Sequence, residues 1–250
     1  MAILKTEKFA VREAAEVTFI DLATNKPIVT LDTLKVSTLK SSSSTDYARG
    51  GVGNPKLIGF TGDKEMPFTI QDALFDLKAL ALITGNKPTA GTADQFYRGT
   101  FIVNEETKAD GITLDTGVTK LQVFVDGVEV AETTDYTADA EKITLTAAEV
   151  GQKVEVYGVK AGKGATTIHF SAKSFPATVK IIAEVLVRDL ETGQDFIGNL
   201  VIPKAKINDD FQMDFSPEGD PSVLDIPTEI LQDPAEEDMV KLIIFDNETE

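Results

Sequence analysis

The stretch Asp46–Gly85, DYARGGVGNPKLIGFTGDKEMPFTIQDALFDLKALALITG, decides how the rest of the chain is read. It begins inside a polar segment, Ser41–Asn54, whose four serines and three glycines bury too little apolar surface to hold one conformation alone. A loop of that length in a compact domain is functional or disordered. Lys56–Phe60 then reads as a strand. A helix follows, with Thr69 as N-cap, Asp72 in the first turn, and Ile70, Ala73, Leu74, Leu77, Leu80 and Ala81 at helical spacing. Gly85 supplies its stop. The apolar stripe of this helix is core, packed against a sheet.

Upstream, Val17–Leu22 and Ile28–Leu31 flank a polar turn at Thr24–Pro27, and Leu34–Lys40 forms a further strand. Downstream, Val179, Ile181, Ala183, Val185 and Val187 alternate with Lys180, Ile182, Glu184, Leu186 and Arg188. Glu191–Gln194 turns this strand into a second, Phe196–Ile202. One face is core; the other is mixed enough to meet water or a neighbouring subunit. Between Ile112 and Val159 the texture changes to short strands, with a hairpin turn at Asp126-Gly127. Gly111 and Gly162 bound this segment. The expected organisation is a main domain, 1–110 plus 163–250, carrying a small β-rich insert at 111–162. The fold class is mostly β, a sandwich or barrel with one flanking α-helix.

Three further blocks accompany the opening stretch: ATNKPIVTLDTLKVSTLK (Ala23–Lys40), FPATVKIIAEVLVRDLETGQDFIGNLVIPKAKI (Phe175–Ile207) and EGDPSV (Glu218–Val223). In this order they resemble the tail tube proteins of tailed bacteriophages, over the first ~100 and last ~85 residues. The resemblance implies a structural protein of the virion tail, made in the host bacterial cytoplasm. Its subunits would join into six-membered rings that stack into a tube, the conduit for genome ejection. It further implies as partners a tape-measure protein, a baseplate or tail-tip initiator, a tail terminator and, in contractile tails, a sheath. Carried onto this chain, Ser41–Asn54 matches the segment that reaches an adjacent ring. Tyr47, Arg49 and Asn54 are its candidate contacts, since Arg and Tyr dominate interface energetics. Glu184 and Asp195 are candidate lumen-facing acids. The insert resembles the small β-sandwich modules that decorate phage structural proteins.

Composition bounds the rest. The 250 residues hold 41 acidic and 24 basic side chains, a net charge of -17. That balance opposes direct nucleic-acid binding, which needs cations to replace phosphate counterions, and suits DNA passing without specific binding. No cysteine is present, so disulfides and thiolate metal sites are excluded. No apolar run is long enough for a membrane span, and MAILKTEKFAVRE lacks a signal-peptide core. His169, the single histidine, reads as a structural residue in a strand. Asp209-Asp210 and Glu236-Glu237-Asp238 are adjacent acids rather than a spaced catalytic pair. Gly50–Lys56 precedes a strand where a phosphate loop needs a helix, and Gly162-Lys163-Gly164 lacks the required first glycine and hydroxyl. Asp126-Gly127 has no calcium-loop spacing. Asn247-Glu-Thr matters only in a secreted chain. No catalytic, cofactor or metal site is expected. A surface β-sandwich adhesin or decoration module is the alternative class, and a carbohydrate-active enzyme the third.

Overall fold

The computed structural model describes residues 8–139, 141–147, 149–210 and 222–245. In chain order the elements are β1 (Phe9–Asp21), β2 (Pro27–Leu31), β3 (Leu34–Leu39), β4 (Ser42–Arg49), β5 (Lys56–Glu65), β6 (Pro67–Asp72), α1 (Leu77–Thr84) and β7 (Thr89–Ile102). Then come α2 (Glu105–Asp110), β8 (Ile112–Thr113), β9 (Val118–Val125), β10 (Val128–Val130), β11 (Tyr136–Ala138), β12 (Lys142–Leu145) and β13 (Lys153–Thr167). β14 (Thr178–Asp189), β15 (Asp195–Ile207), β16 (Leu224–Ile230) and β17 (Lys241–Ile244) close the order. The chain divides into two compact units, one of residues up to Pro88 together with those from Ile168 onward, the other Thr89–Thr167.

The larger unit is one eight-stranded antiparallel sheet, β2-β1-β14-β15-β16-β6-β3, with β17 also paired to β15. β2 and β3 stand at opposite ends of that path, yet only Asp32 and Thr33 separate them. Three peptide steps span at most ~11 Å, so the sheet must curl until its ends meet. Inside lie Phe19, Leu31, Phe68, Ile70, Ile181, Ile202, Ile207 and Ile226, all essentially without exposed surface. Ala79, Leu80, Leu82 and Ile83 of α1 pack against the same core.

The long hairpin forms as its alternation requires. Val179, Ile181, Ala183, Val185 and Val187 are buried, and their neighbours in β14 are half-buried or exposed, apart from the terminal Asp189. The turn is held by that residue, whose Oδ1 accepts from the amides of Glu191 (2.9 Å) and Thr192 (2.8 Å). At the β1–β2 turn Asp21 accepts from the Thr24 amide (2.7 Å) and hydroxyl (2.8 Å) in the same way. These bonds to the charged form hold the Asp21 carboxyl below its ordinary range.

Two local expectations are corrected. Thr69–Asp72 is not the start of the helix but part of β6, paired to β16 and β3. Burial alternates along Phe68, Ile70 and Asp72, and two-residue alternation in β-branched sequence makes a strand. The helix begins at Leu77, N-capped by Asp76, whose Oδ1 accepts from the amides of Lys78 (2.6 Å) and Ala79 (2.9 Å). Its end at Gly85 is the expected one, with φ 67°. The second correction concerns Ser41–Asn54. Ser42–Arg49 is a strand, bonded along its length to β5 as an isolated two-stranded sheet.

The smaller unit has sheets β10-β9-β13-β7 and β11-β12-β8, which share a core of Ile112, Val123, Tyr136, Ile143, Val154 and Val156. Asp126 (φ 48°) and Gly127 (φ 84°) make the tight turn of β9 and β10. The segment 111–162 lies inside this unit, which also holds β7 and α2 ahead of it. Asn104 and Thr107 cap α2 reciprocally.

Gly85 gives a test of the packing. A Cβ there would sit 2.4 Å from the Phe175 carbonyl oxygen, on backbone of positive φ. Gly85→Ala is expected to lower stability by more than about 1 kcal/mol, measured by thermal or urea unfolding.

Candidate assembly surfaces

Three features of the larger unit present backbone or side chains that its own fold leaves unused. The first is the arm formed by β4 and β5. Every residue of both strands is exposed. Two strands alone are marginal in water, and this pair carries apolar side chains outward: Ile58 is 59% and Phe60 63% exposed. The register places Ala48 beside Ile58 and Asp46 beside Phe60, all on one face. The opposite face holds Thr45, Tyr47, Gly59 and Thr61. Tyr47 lies across Gly59, and the Lys56 ammonium stands 3.9 Å above its ring. Arg49 pairs in register with Lys56, at the base of the turn. Asn54 sits at the tip with φ 49°, its amide donating to the Gly51 carbonyl at 3.1 Å. Gly51 and Gly53 also have positive φ, so the glycines of Gly50–Lys56 serve a hairpin turn. Tyr47, Arg49 and Asn54 therefore share one arm, and the sequence reading missed Ile58 and Phe60. Their signal was present, since both belong to the expected strand Lys56–Phe60. An apolar residue in a strand is ordinarily assigned to a core.

The second feature is a pair of sheet edges. One row runs Ala14, Val185, Gly198, Ile244 across β1, β14, β15 and β17. β2 reaches β1 only from Val17 to Ile20; before it Arg12–Ala14 face Leu34–Ser37 of β3 across a recess, and among the described residues Phe9–Val11 is bonded to β14 alone. Among the described residues β17 pairs with β15 alone. The Phe245 amide donates to the Ile197 carbonyl at 2.9 Å. By the two-residue period the amides of Leu242 and Ile244 then face away from the sheet.

The third feature is the outer face of the long hairpin. Glu184 is exposed and stands directly opposite Glu16 of β1 and Asn199 of β15. Like charges opposed across strands repel, and the sheet tolerates them at an exposed position. Asp195 is differently placed. Arg188 clasps it with Nε at 2.5 Å and Nη2 at 2.6 Å, a two-pronged ion pair. The two candidate acids thus share a face, but only Glu184 belongs to the acidic row.

Among the described residues no group of three or more His, Asp or Glu side chains is placed to hold a metal ion. Among the described residues no helix is long and apolar enough to cross a membrane. His169 lies beyond the end of β13 rather than in a strand, and its carbonyl accepts from Asn86 Nδ2 at 3.0 Å. Glu236 binds Lys241. Asp209 lines a small recess with Ile83 and Thr84. Residues 218–221 of EGDPSV, and Asn247-Glu-Thr, lie outside the described residues.

A model of the YomU/Tube protein family matches residues 9–244. Comparison with curated proteins finds no match.

The Arg188–Asp195 pair carries a pH signature. The Arg188 hydrogen bonds hold the Asp195 carboxyl below its ordinary value of 3.8, with a smaller Coulombic contribution from Arg12. A depressed folded-state pKa contributes stability above the unfolded value that is lost as pH falls through the folded one. Carboxyl NMR titration is therefore expected to find the Asp195 midpoint below 3.8, and Arg188→Gln to return it to the ordinary range.

Proposed function

The chain belongs to the YomU/Tube protein family, a family of phage tail tube proteins, and from that premise we propose that it polymerises as stacked six-membered rings into the conduit for genome ejection. The observation that carries this reading is the four-strand row whose outer strands, β1 at Phe9–Val11 and β17, are each hydrogen-bonded on one side among the described residues. A second copy that set its β17 against the Phe9–Val11 end of β1 would continue the sheet, and closing the circle would satisfy every such edge. Six copies giving four strands each make 24 strands. At about 4.8 Å spacing and about 40° tilt their circumference is roughly 150 Å, a backbone diameter near ~48 Å. Side chains of about 10 Å on the inner wall leave a channel as wide as a DNA duplex.

In this reading the β4–β5 arm reaches the adjacent ring, with Tyr47, Arg49 and Asn54 among its contacts and Ile58 and Phe60 added to them. The outer face of β14 and β15 lines the lumen. There Glu184 and Glu16 supply the repulsion that keeps phosphate from sticking, while Asp195 is neutralised by Arg188. Assembly in the host cytoplasm would start on a baseplate or tail-tip initiator around a tape-measure protein and stop at a terminator, with a sheath outside in a contractile tail. The segment 111–162 is a decoration that tube formation does not need.

Negative-stain microscopy of concentrated protein is expected to find rings or tubes, and a strictly monomeric particle at all concentrations would refute the reading. Leu242→Pro removes an amide that faces the free edge and leaves the β15 bonds in place. This variant is expected to fold but to fail at ring closure; normal tubes from it would exclude β17 as the joining edge. In intact tubes Glu184→Lys is expected to slow genome ejection, with salt relieving the defect because exposed charges are screened over about 10 Å at 0.1 M.

A further inference from the structure

An apolar groove of about 540 Å³ runs beside α1, lined by Ile28, Leu77, Ala81, Leu82, Phe175 and Ala177. Its volume falls within the roughly 300–1,000 Å³ of pockets that engulf a bound group. Phe175 on its wall is 71% exposed. The chain as a whole is strongly acidic, with a net charge of -17, yet the only charged residues lining this groove are Lys78 and Lys87. Among the described residues neither lysine has an ion-pair partner.

The same chain carries a matching surface. One face of the β4–β5 arm presents Ala48, Ile58 and Phe60, and its one acid is Asp46, directly across from Phe60. Asp46 has no ion-pair partner among the described residues either. Arm and groove are thus complementary twice over, apolar to apolar and one carboxylate to two ammonium groups.

We propose that the Ala48–Ile58–Phe60 face of one copy's arm docks in the α1 groove of a second copy, with Asp46 facing Lys78 and Lys87. This rests on the tube reading and names the receptor that the arm reaches. Each copy holds both halves, so the contact is head-to-tail and leaves an arm and a groove free at the two ends of any stack. That geometry adds rings without limit in one direction, which a self-complementary contact cannot do. Phe60 and Ile58 act as the buried anchors and the charges set the register.

Charge exchange tests the docking. Asp46→Lys, and separately Lys78→Glu with Lys87→Glu, are each expected to raise the polymerisation threshold several-fold at low salt. All three together are expected to return it to within about twofold of wild type, because contacting residues couple and distant ones add. All these positions are exposed, so folding is unaffected, and circular dichroism of each monomer checks this. A second readout uses the lack of native cysteine. Phe60→Cys with Ala81→Cys is expected to give interchain disulfide ladders on oxidation of tubes, and Phe60→Cys alone at most dimers. Tubes that form normally, without ladders and with merely additive charge effects, overturn the docking and leave the tube reading standing. Wild-type protein that never polymerises overturns both.

Discussion

The connection from β2 to β3 constrains everything else in the larger unit. Two residues, Asp32 and Thr33, join strands that stand at opposite ends of a sheet whose other neighbours are all fixed by hydrogen bonds. The sheet must therefore curl, and curling creates an inside. Asp72 of β6 anchors the crossing, buried and accepting from the Thr33 hydroxyl. Once the ends meet, inward residues of β1, β2, β6, β14, β15 and β16 share one core that α1 stoppers, while Val185, Val187 and Phe196 form a smaller cluster of their own. The remaining surfaces divide by the same constraint. β1, β14, β15 and β17 present a face away from the core, and the stretches of β1 and β17 bonded on one side among the described residues fall at its two sides.

Burial on one face of a regular strand was the most legible feature in the sequence. Val179–Val187 alternates without interruption, and the register follows because a one-residue slip would turn five apolar side chains outward. Asp126-Gly127 and Gly85 were legible for a different reason, since each occupies backbone of positive φ that few residues adopt. The start of α1 was not legible. Ile70 fits a helical stripe by spacing, but pairing with β16 and β3 outweighs that local fit, and the Asp76 cap lies only seven residues beyond the Thr69 first expected to serve. Nor was β4. Ser42–Thr45 has neither alternation nor branched apolar residues, and its strand exists because β5 supplies the bonding partner. The groove beside α1 was beyond sequence reasoning altogether, since Phe175 and Ala177 reach it from a segment some ninety residues downstream of the helix.

Charge is sorted by geometry more than by composition. The net acidity is spread over the chain, yet the hairpin face carries an internally neutralised pair at one end and two opposed glutamates near its middle. Arg188 and Asp195 are partners across β14 and β15, so a change to either would alter both the field of that face and the closure of the turn beside it. The pair is also exposed, which keeps its contribution to stability small. Its significance is positional.

The irregularity of β1 has a consequence for when the protein joins others. Its register with β14 shifts twice, between Val11 and Ala14 and again between Ala14 and Glu16, along the stretch that β2 does not reach. A regular open strand would accept almost any extended peptide in a crowded cell. A doubly bulged one is bent and over-twisted, and offers its amides in a spacing that a generic strand does not match. In the proposed ring that end of β1 would favour a strand bent to match it. Growth would then depend on the shape of the arriving strand as well as on concentration.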